Sequence, residues 1–130
     1  MEPPEGMTTS RNFDHLHTSL VEAWPKILEF YSATPGCEGR QLIVTCTYRN
    51  PEEQNRLFKL GRSKKDGYEK LSKHNLYPSR AIDVCVLDGG KAVWEEEAYW
   101  PLMAVCALYG LVSGGSWKNF KDWPHLELKD

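Results

Sequence analysis

Length, composition and charge exclude several classes of protein before any motif is considered. The chain has 130 residues, of which 41% are hydrophobic and 26% are charged. It is therefore long enough for one hydrophobic core and too apolar for a disordered tail. The formal net charge at pH 7 is -2, from 16 basic and 18 acidic residues, and this balance does not favour a nucleic-acid-binding surface. We expect one globular domain without a nucleic-acid partner.

The sequence shows no targeting or membrane-spanning pattern. Its start contains prolines and glutamates and no apolar stretch, so we expect no signal peptide and synthesis in the cytoplasm. The most apolar region, residues 98–112, contains a proline and is shorter than the roughly 20 residues of a membrane span. We therefore expect no stable membrane insertion.

The four cysteines form no CxxC pair and are predicted to be free thiols. We expect a monomer.

The first half of the chain predicts two helices and one strand after a flexible lead-in, residues 1–12. Over residues 14–32, hydrophobic side chains recur at spacings of three and four, as on the buried face of a helix. Residues 41–47 are rich in β-branched side chains and predict a strand. Asn50 is a favourable N-cap and precedes a proline, which predicts a second helix over residues 51–60.

The second half of the chain mixes strands and helices without a repeating order. Residues 80–86 predict a strand, and the turn at 88–90 leads into a short strand over 91–94. A buried helix over 95–109 and a last strand over 125–128 follow. Because regular βαβ alternation is absent, the pattern favours an α+β domain with a small, mainly antiparallel sheet packed by helices.

Asp83 is a carboxylate in an apolar strand, flanked by isoleucine and valine. Burial of this group is costly unless something pairs with it. The partner of the Asp83 carboxylate could be Arg80, another group in a structural salt bridge, or a metal ion. His74 and His125 lie in polar, turn-rich segments beside charged residues and are candidate metal ligands. Two histidines and one carboxylate form a zinc tripod that leaves a position for water, as hydrolytic sites require.

Four segments taken together resemble the signature of the M15 zinc peptidases. They read TYRNPEEQ, SKHN, AIDV and GGSWKNFKDWPHLEL, they occur in the family's order, and they cover roughly residues 40–128. The family contains D-Ala-D-Ala carboxypeptidases and dipeptidases and the L-alanyl-D-glutamate endopeptidases of phage endolysins. The resemblance implies a hedgehog/DD-peptidase-like fold, with residues 13–130 as the catalytic domain.

The resemblance also implies a role for individual residues. His74, Asp83 and His125 match the family's Zn²⁺ ligands. Asp122 matches the carboxylate that acts as general base, and Arg49 matches the arginine that holds the substrate carbonyl and its developing oxyanion. The chemistry of these residue types agrees with the roles, because a carboxylate takes a proton from the activated water and a guanidinium offers fixed donors to an oxyanion.

Several neighbouring residues are predicted with less detail. Ser72 and Gln54 match positions near the substrate, and Trp123 flanks the site, so we expect all three to contact substrate. Glu127 shares a strand face with His125 and either orients that ligand or forms a surface salt bridge. The charged run over residues 62–66 is expected to be a solvated loop.

The sequence departs from the family pattern between its first two ligands. Asp83 follows His74 by nine positions, whereas seven is usual in the family, and proline stands where glycine is common. The pattern around this loop resembles a phage-type branch of the family. We therefore expect a longer loop at the substrate rim with the metal site retained.

These observations predict a zinc-dependent peptidase that hydrolyses the peptide stem of bacterial peptidoglycan at the L-Ala-D-Glu bond. We expect it to act as a phage or prophage endolysin, on the wall or in the periplasm after release from the cytoplasm, and without a separate wall-binding domain. The alternatives are a D-Ala-D-Ala carboxypeptidase of the same family and a non-catalytic zinc-containing module of a phage particle. Asp122 and Arg49 favour catalysis, because a structural zinc site needs neither.

Overall fold

Two helices cover one face of a five-stranded sheet in the computed structural model, which describes residues 2–129. The helices are α1 (Thr18–Ala33), α2 (Pro51–Lys59) and α3 (Trp100–Leu108). The strands are β1 (Gln41–Cys46), β2 (Ala81–Asp88), β3 (Lys91–Val93), β4 (Leu111–Ser113) and β5 (His125–Leu128). The sheet order is β1-β2-β5-β4, β3 pairs with the end of β2, and every pairing is antiparallel. The predicted α+β class with a mainly antiparallel sheet is confirmed.

Strand β2 separates the hydrophobic core from the polar site. Ile82, Val84 and Val86 are fully buried and join the core cluster formed with α1 and α3. Side chains alternate between the two faces of a strand, so Asp83 projects from the opposite face. The core therefore fixes the strand from one side while the other side is left for chemistry.

Three elements differ from the sequence-based expectation. Helix α1 begins at Thr18, because His17 caps it after a separate 3-10 turn over Phe13–His15. The helix expected over residues 95–109 is divided into a 3-10 turn and α3, with Pro101 in the first turn of α3, where proline is tolerated. Strand β4 was not predicted; it has three residues and depends on pairing with β5.

The predicted flexible lead-in differs from the structure in its second part. The Ser10 backbone N–H donates to the Tyr48 carbonyl at 2.9 Å, and the Asn50 N–H donates to the Thr8 carbonyl at 2.9 Å. Ser10 is buried. Residues 8–10 thus pair with the segment that follows β1, a long-range contact that local composition does not reveal.

Two further expectations concern cysteines and membrane segments. All four cysteines are free and buried, as predicted. Among residues 2–129, no helix combines the length and apolar character needed to cross a membrane.

The buried and exposed leucines of α3 provide a direct test of this core. Leu102 is fully buried and Leu108 is 65% exposed on the same helix. We expect Leu102→Ala to lower the free energy of unfolding by about 2–5 kcal/mol, since it leaves a cavity. Leu108→Ala is the matched control and should change it by less than about 0.5 kcal/mol. Chemical denaturation measures both, and equal effects would contradict the assigned core.

Candidate metal centre

The sheet register brings Asp83 opposite two chemically active neighbours. Asp83 pairs with Cys46 of β1 on one side and with His125 of β5 on the other. His125 is therefore directly across the strand from Asp83, where paired side chains lie close together.

A short capped turn positions the second histidine. His74 lies in a 3-10 turn over Lys73–Asn75. The Ser72 hydroxyl accepts from the His74 N–H at 3.2 Å, and the Asn75 side chain accepts from the Ser72 N–H at 2.8 Å. This is a capping box, which satisfies the free donors at the start of a turn. A hydrogen bond also joins this turn to the segment after β1, because the Arg49 N–H donates to the His74 carbonyl at 2.9 Å.

The Asp83 carboxylate lies between the two imidazoles. Its Oδ1 is 3.1 Å from His74 Nε2 and 3.3 Å from His125 Nδ1. Both histidines are buried, and the Asp83 side chain is 20% exposed. On the polar face of β2, the Asp83 carboxylate is therefore close to both of the other predicted ligands.

In each imidazole, the nitrogen that faces away from Asp83, here called the outer nitrogen, lies within hydrogen-bond distance of an oxygen acceptor. The nitrogen near Asp83 is called the inner nitrogen. His74 Nδ1 is 2.8 Å from the Thr47 carbonyl, and His125 Nε2 is 2.7 Å from Glu127 Oε1. Since both oxygens only accept, each outer nitrogen carries the hydrogen. The inner nitrogens then present lone pairs to a metal when the rings are neutral, which is the arrangement common around zinc-bound histidines. The donor set fits Zn²⁺.

In the absence of a metal, charge compensation by protons explains the shifted pKa values. Burial lowers the pKa of His74, but the adjacent Asp83 carboxylate outweighs burial and raises it to about 10. Burial raises the pKa of Asp83, and the two histidines lower it well below its usual value. Burial lowers the pKa of His125, and hydrogen bonds to Asp83 and Glu127 produce a net increase. A metal cation bound here would displace those protons.

Glu127 contacts the His125 ring and also forms an ion pair with Lys73. One carboxylate oxygen accepts from His125, and the other lies 3.2 Å from Lys73 Nζ. Burial raises the pKa of Glu127, while the contacts with His125 and Lys73 give a net decrease. His125 and, to a smaller extent, Lys73 therefore favour the ionised form of the Glu127 carboxyl.

Asp122 lies beside the two ligands that meet across β2 and β5. Its carboxylate comes within 4.8 Å of donor atoms of both Asp83 and His125. Burial and the charge of Asp83 raise its pKa. The backbone holds it at both sides: the Asp122 N–H donates to the Gly114 carbonyl at 3.0 Å, and the Asp122 carbonyl accepts from the His125 N–H at 3.1 Å. A carboxylate with a raised pKa next to a metal site is suited to proton transfer.

Arg49 faces the same centre from the segment after β1. Its guanidinium donates to Asp83 Oδ2 at 3.2 Å and to Gln54 Oε1 at 3.0 Å. Gln54 is 1% exposed. The placement makes Gln54 a residue that orients Arg49. Gln54 also lines the cleft over the centre, and the substrate contact expected of it stays a prediction.

A cleft with a volume of about 600 Å³ opens over this centre. Ser72 lines the cleft, although its hydroxyl is used in the cap of the His74 turn. Trp123 does not line it. The Trp123 ring packs against the core and so close to Gly115 that a Cβ there would lie 2.3 Å from the ring. Trp117 lines the cleft, and the substrate contact expected of Trp123 stays a prediction.

Cys46 is a neighbour that sequence reasoning did not include. Within residues 2–129, two compact groups of donor atoms share Asp83: one adds Cys46 and His74, and the other adds Asp122 and His125. Cys46 is buried, and Arg49 donates to its sulfur at 3.7 Å. Its position at the end of a β-branched strand gave no signal, because the contact arises from pairing with β2.

Gly114 provides a test of how the backbone positions Asp122. A Cβ at Gly114 would lie 2.2 Å from the Asp122 carbonyl oxygen, so Gly114→Ala must move the backbone that carries Asp122. We expect a loss of about 1–3 kcal/mol in the free energy of unfolding and displaced NMR signals of Asp122 and His125. The control is Asn119→Ala, an exposed position of the same connection, which should leave both unchanged. Unchanged signals in Gly114→Ala would contradict the close contact.

Comparisons with known proteins were made at the level of families, sequences and folds. No family model matches the chain. The peptidoglycan L-alanyl-D-glutamate endopeptidase CwlK of Bacillus subtilis (strain 168) is 30% identical over 106 residues. That match covers 70% of this chain and 62% of CwlK, so the chain spans less than two thirds of this relative.

A solved structure gives the fold comparison. The Serratia marcescens L-Ala D-Glu endopeptidase ChiX superposes with a TM-score of 0.72 at 23% identity, covering 96% of this chain and 92% of ChiX. The chain is thus similar in sequence to CwlK and in fold to ChiX, two proteins named as L-alanyl-D-glutamate endopeptidases.

Proposed function

We propose that this chain is a zinc-dependent peptidase that hydrolyses the peptide stem of bacterial peptidoglycan at the L-Ala-D-Glu bond. The observation that carries the proposal is the convergence of His74, Asp83 and His125, with the outer nitrogen of each ring already held by an oxygen. A structural zinc site is normally closed by four ligands, whereas three protein ligands leave a position for catalysis.

The residues around this tripod supply the remaining chemistry. His74, Asp83 and His125 would hold a zinc ion, which when bound would supply a water of lowered pKa as the nucleophile at neutral pH. Asp122 would take the proton of the nucleophile and pass it to the leaving amine. Arg49 lines the cleft, and its guanidinium donates to the carbonyl oxygen as negative charge develops there.

The substrate assignment is supported by similarity to two proteins whose names give that bond. Asp122 and Arg49 separate this proposal from a non-catalytic zinc module, because neither is required to hold a metal. We also propose that residues 13–130 form the catalytic domain, since the residues of the centre lie within this range, and that the protein acts as a monomer.

The biological setting belongs to the same proposal. The loop between the first two ligands resembles that of phage-type members, which supports an endolysin role on the cell wall after release. Addition of the purified protein to cells with a permeabilised outer layer should then clear the suspension, and intact cells should resist.

Mass spectrometry of digested peptidoglycan tests the function directly. We expect new C-terminal L-Ala and N-terminal D-Glu groups when zinc is present. Release of D-Ala would assign the carboxypeptidase activity instead. Unchanged muropeptides under every metal condition would support the non-catalytic module.

Zinc binding tests the tripod. The purified protein should hold close to one zinc per chain. His74→Ala and His125→Ala should each weaken zinc affinity by more than the roughly 10–100-fold typical of losing an outer partner. His17→Asn is the control, because His17 caps α1 outside the centre and asparagine keeps a capping acceptor. Full zinc retention in both alanine variants would remove the tripod.

Substitution of the base separates metal binding from turnover. Asp122→Asn should retain zinc and lower the hydrolysis rate by about 10²–10⁴-fold, since general-base catalysis typically contributes that much. Asp88→Asn, at the far end of β2, is the matched control. An Asp122→Asn enzyme with normal activity would place the base elsewhere.

A further inference from the structure

The run of basic residues expected to be a solvated loop lies on the cleft. Arg62, Ser63, Lys64 and Lys65, here called the cationic segment, all line the cavity that contains the candidate metal centre. Three of its four side chains are positively charged and exposed. A low-dielectric cleft with cations at its mouth concentrates anions.

The cationic segment is fixed to helix α2. The Gln54 amide donates to Ser63 Oγ at 2.8 Å and to the Lys65 carbonyl at 3.1 Å. The Asn55 amide donates to the Asp66 carbonyl at 3.0 Å. Next to it, a Cβ at Gly67 would lie 2.5 Å from the Pro51 carbonyl oxygen, so the chain packs directly on the start of α2. The backbone that carries the positive charges is therefore anchored before any ligand arrives, which lowers the entropy cost of binding.

Gln54 connects this segment to the reacting groups. The same side chain that holds Ser63 and Lys65 accepts from Arg49, which in turn contacts Asp83. Across the cleft, Lys64 Nζ lies 5.6 Å from the centre of the Phe120 ring. The segment thus spans from the metal centre to the opposite wall of the cleft.

Among the described residues, the cationic side chains of the segment form no direct ion pair, although the pKa of Glu53, lowered first by a hydrogen bond from an arginine of the same helix, is also lowered by the charge of Arg62. Within residues 2–129, no salt bridge joins Arg62, Lys64 or Lys65 to an acidic side chain. The adjacent Asp66 carboxylate is used locally, because its Oδ1 accepts from three backbone N–H groups of residues 68–70.

We propose that the cationic segment binds a free carboxylate of the substrate, on the D-Glu residue that leaves with the amine. This inference rests on the proposed function. A glutamyl residue acylated on its nitrogen retains two carboxyl groups, and chain continuation uses only one of them. The other is an anion next to the scissile bond, and the segment meets it with fixed cations. The segment is a specificity element for acidic over amidated stems.

A pair of synthetic stem peptides tests the proposal. They differ only in whether the second carboxyl of D-Glu is free or amidated, and kcat/KM is measured for each. The wild-type protein should prefer the acid. Arg62→Gln, Lys64→Gln and Lys65→Gln should each reduce that preference about two- to fivefold, as expected for partly exposed charge pairs, and the triple variant should reduce it further. The preference should also fall with added salt.

The control variants carry the same charge change outside the cleft. Lys59→Gln and Lys70→Gln alter exposed lysines that flank the segment and do not line the cavity, and they should keep the wild-type preference. A loss of folding would lower both rates together and leave the ratio unchanged, so the ratio reports recognition.

The outcomes distinguish this inference from the function on which it rests. Cleavage of both peptides with equal efficiency by the wild type would overturn the carboxylate site and leave the peptidase intact. A preference that survives in the triple variant would overturn it as well, because another group would then be responsible. No cleavage of either peptide would overturn both.

Discussion

The carboxylate of Asp83 is the constraint on which the rest of the structure depends. It projects from a strand whose opposite face is fully buried core, and burial of an unpaired charge there would cost several kcal/mol. His74 and His125 satisfy it from two sides, and Arg49 satisfies its second oxygen. Charge pairing between Asp83 and the two histidines stabilises the metal-free protein. The same three side chains can act as metal ligands once the histidines lose the protons that lie between them and Asp83.

The second layer of contacts explains why the centre keeps its shape. The Thr47 carbonyl and Glu127 hold the outer nitrogens of the two rings, and Lys73 holds Glu127. Gln54 orients Arg49 while it anchors the loop that carries the positive charges of the cleft. The proposed ligands, Arg49 and the backbone of the cationic segment therefore belong to one connected network of polar contacts, and a change in one part is felt in the others.

Local patterns predicted most of the elements that carry the site. The strand of Asp83 and the helix after Asn50 were predictable because alternation, capping and a proline at the helix start coincide within a few residues. Strand β4 and the pairing of residues 8–10 were not, because each depends on a distant partner. Three residues of β-structure without their neighbour carry too little pattern to identify.

The site shows the same division between local and distant information. The motifs named His74, Asp83 and His125, and the structure brings the three together. The link from Gln54 to the cationic segment was not predictable, since it comes from contacts across 9 and 11 positions that composition does not encode. Cys46 was missed for a related reason: only the register of β1 on β2 places its sulfur beside Asp83.

Cys46 also defines the measurement that tests the central claim most directly. X-ray absorption of the zinc-loaded protein separates nitrogen and oxygen donors at about 2.0–2.2 Å from sulfur at about 2.3 Å. If His74, Asp83 and His125 are the ligands, the spectrum should show scattering from two imidazole rings and from nitrogen and oxygen donors, with no sulfur. The Cys46→Ser variant should then give the same spectrum. A sulfur donor that disappears in Cys46→Ser would show that the metal uses the Cys46, His74 and Asp83 group, and would contradict the catalytic tripod.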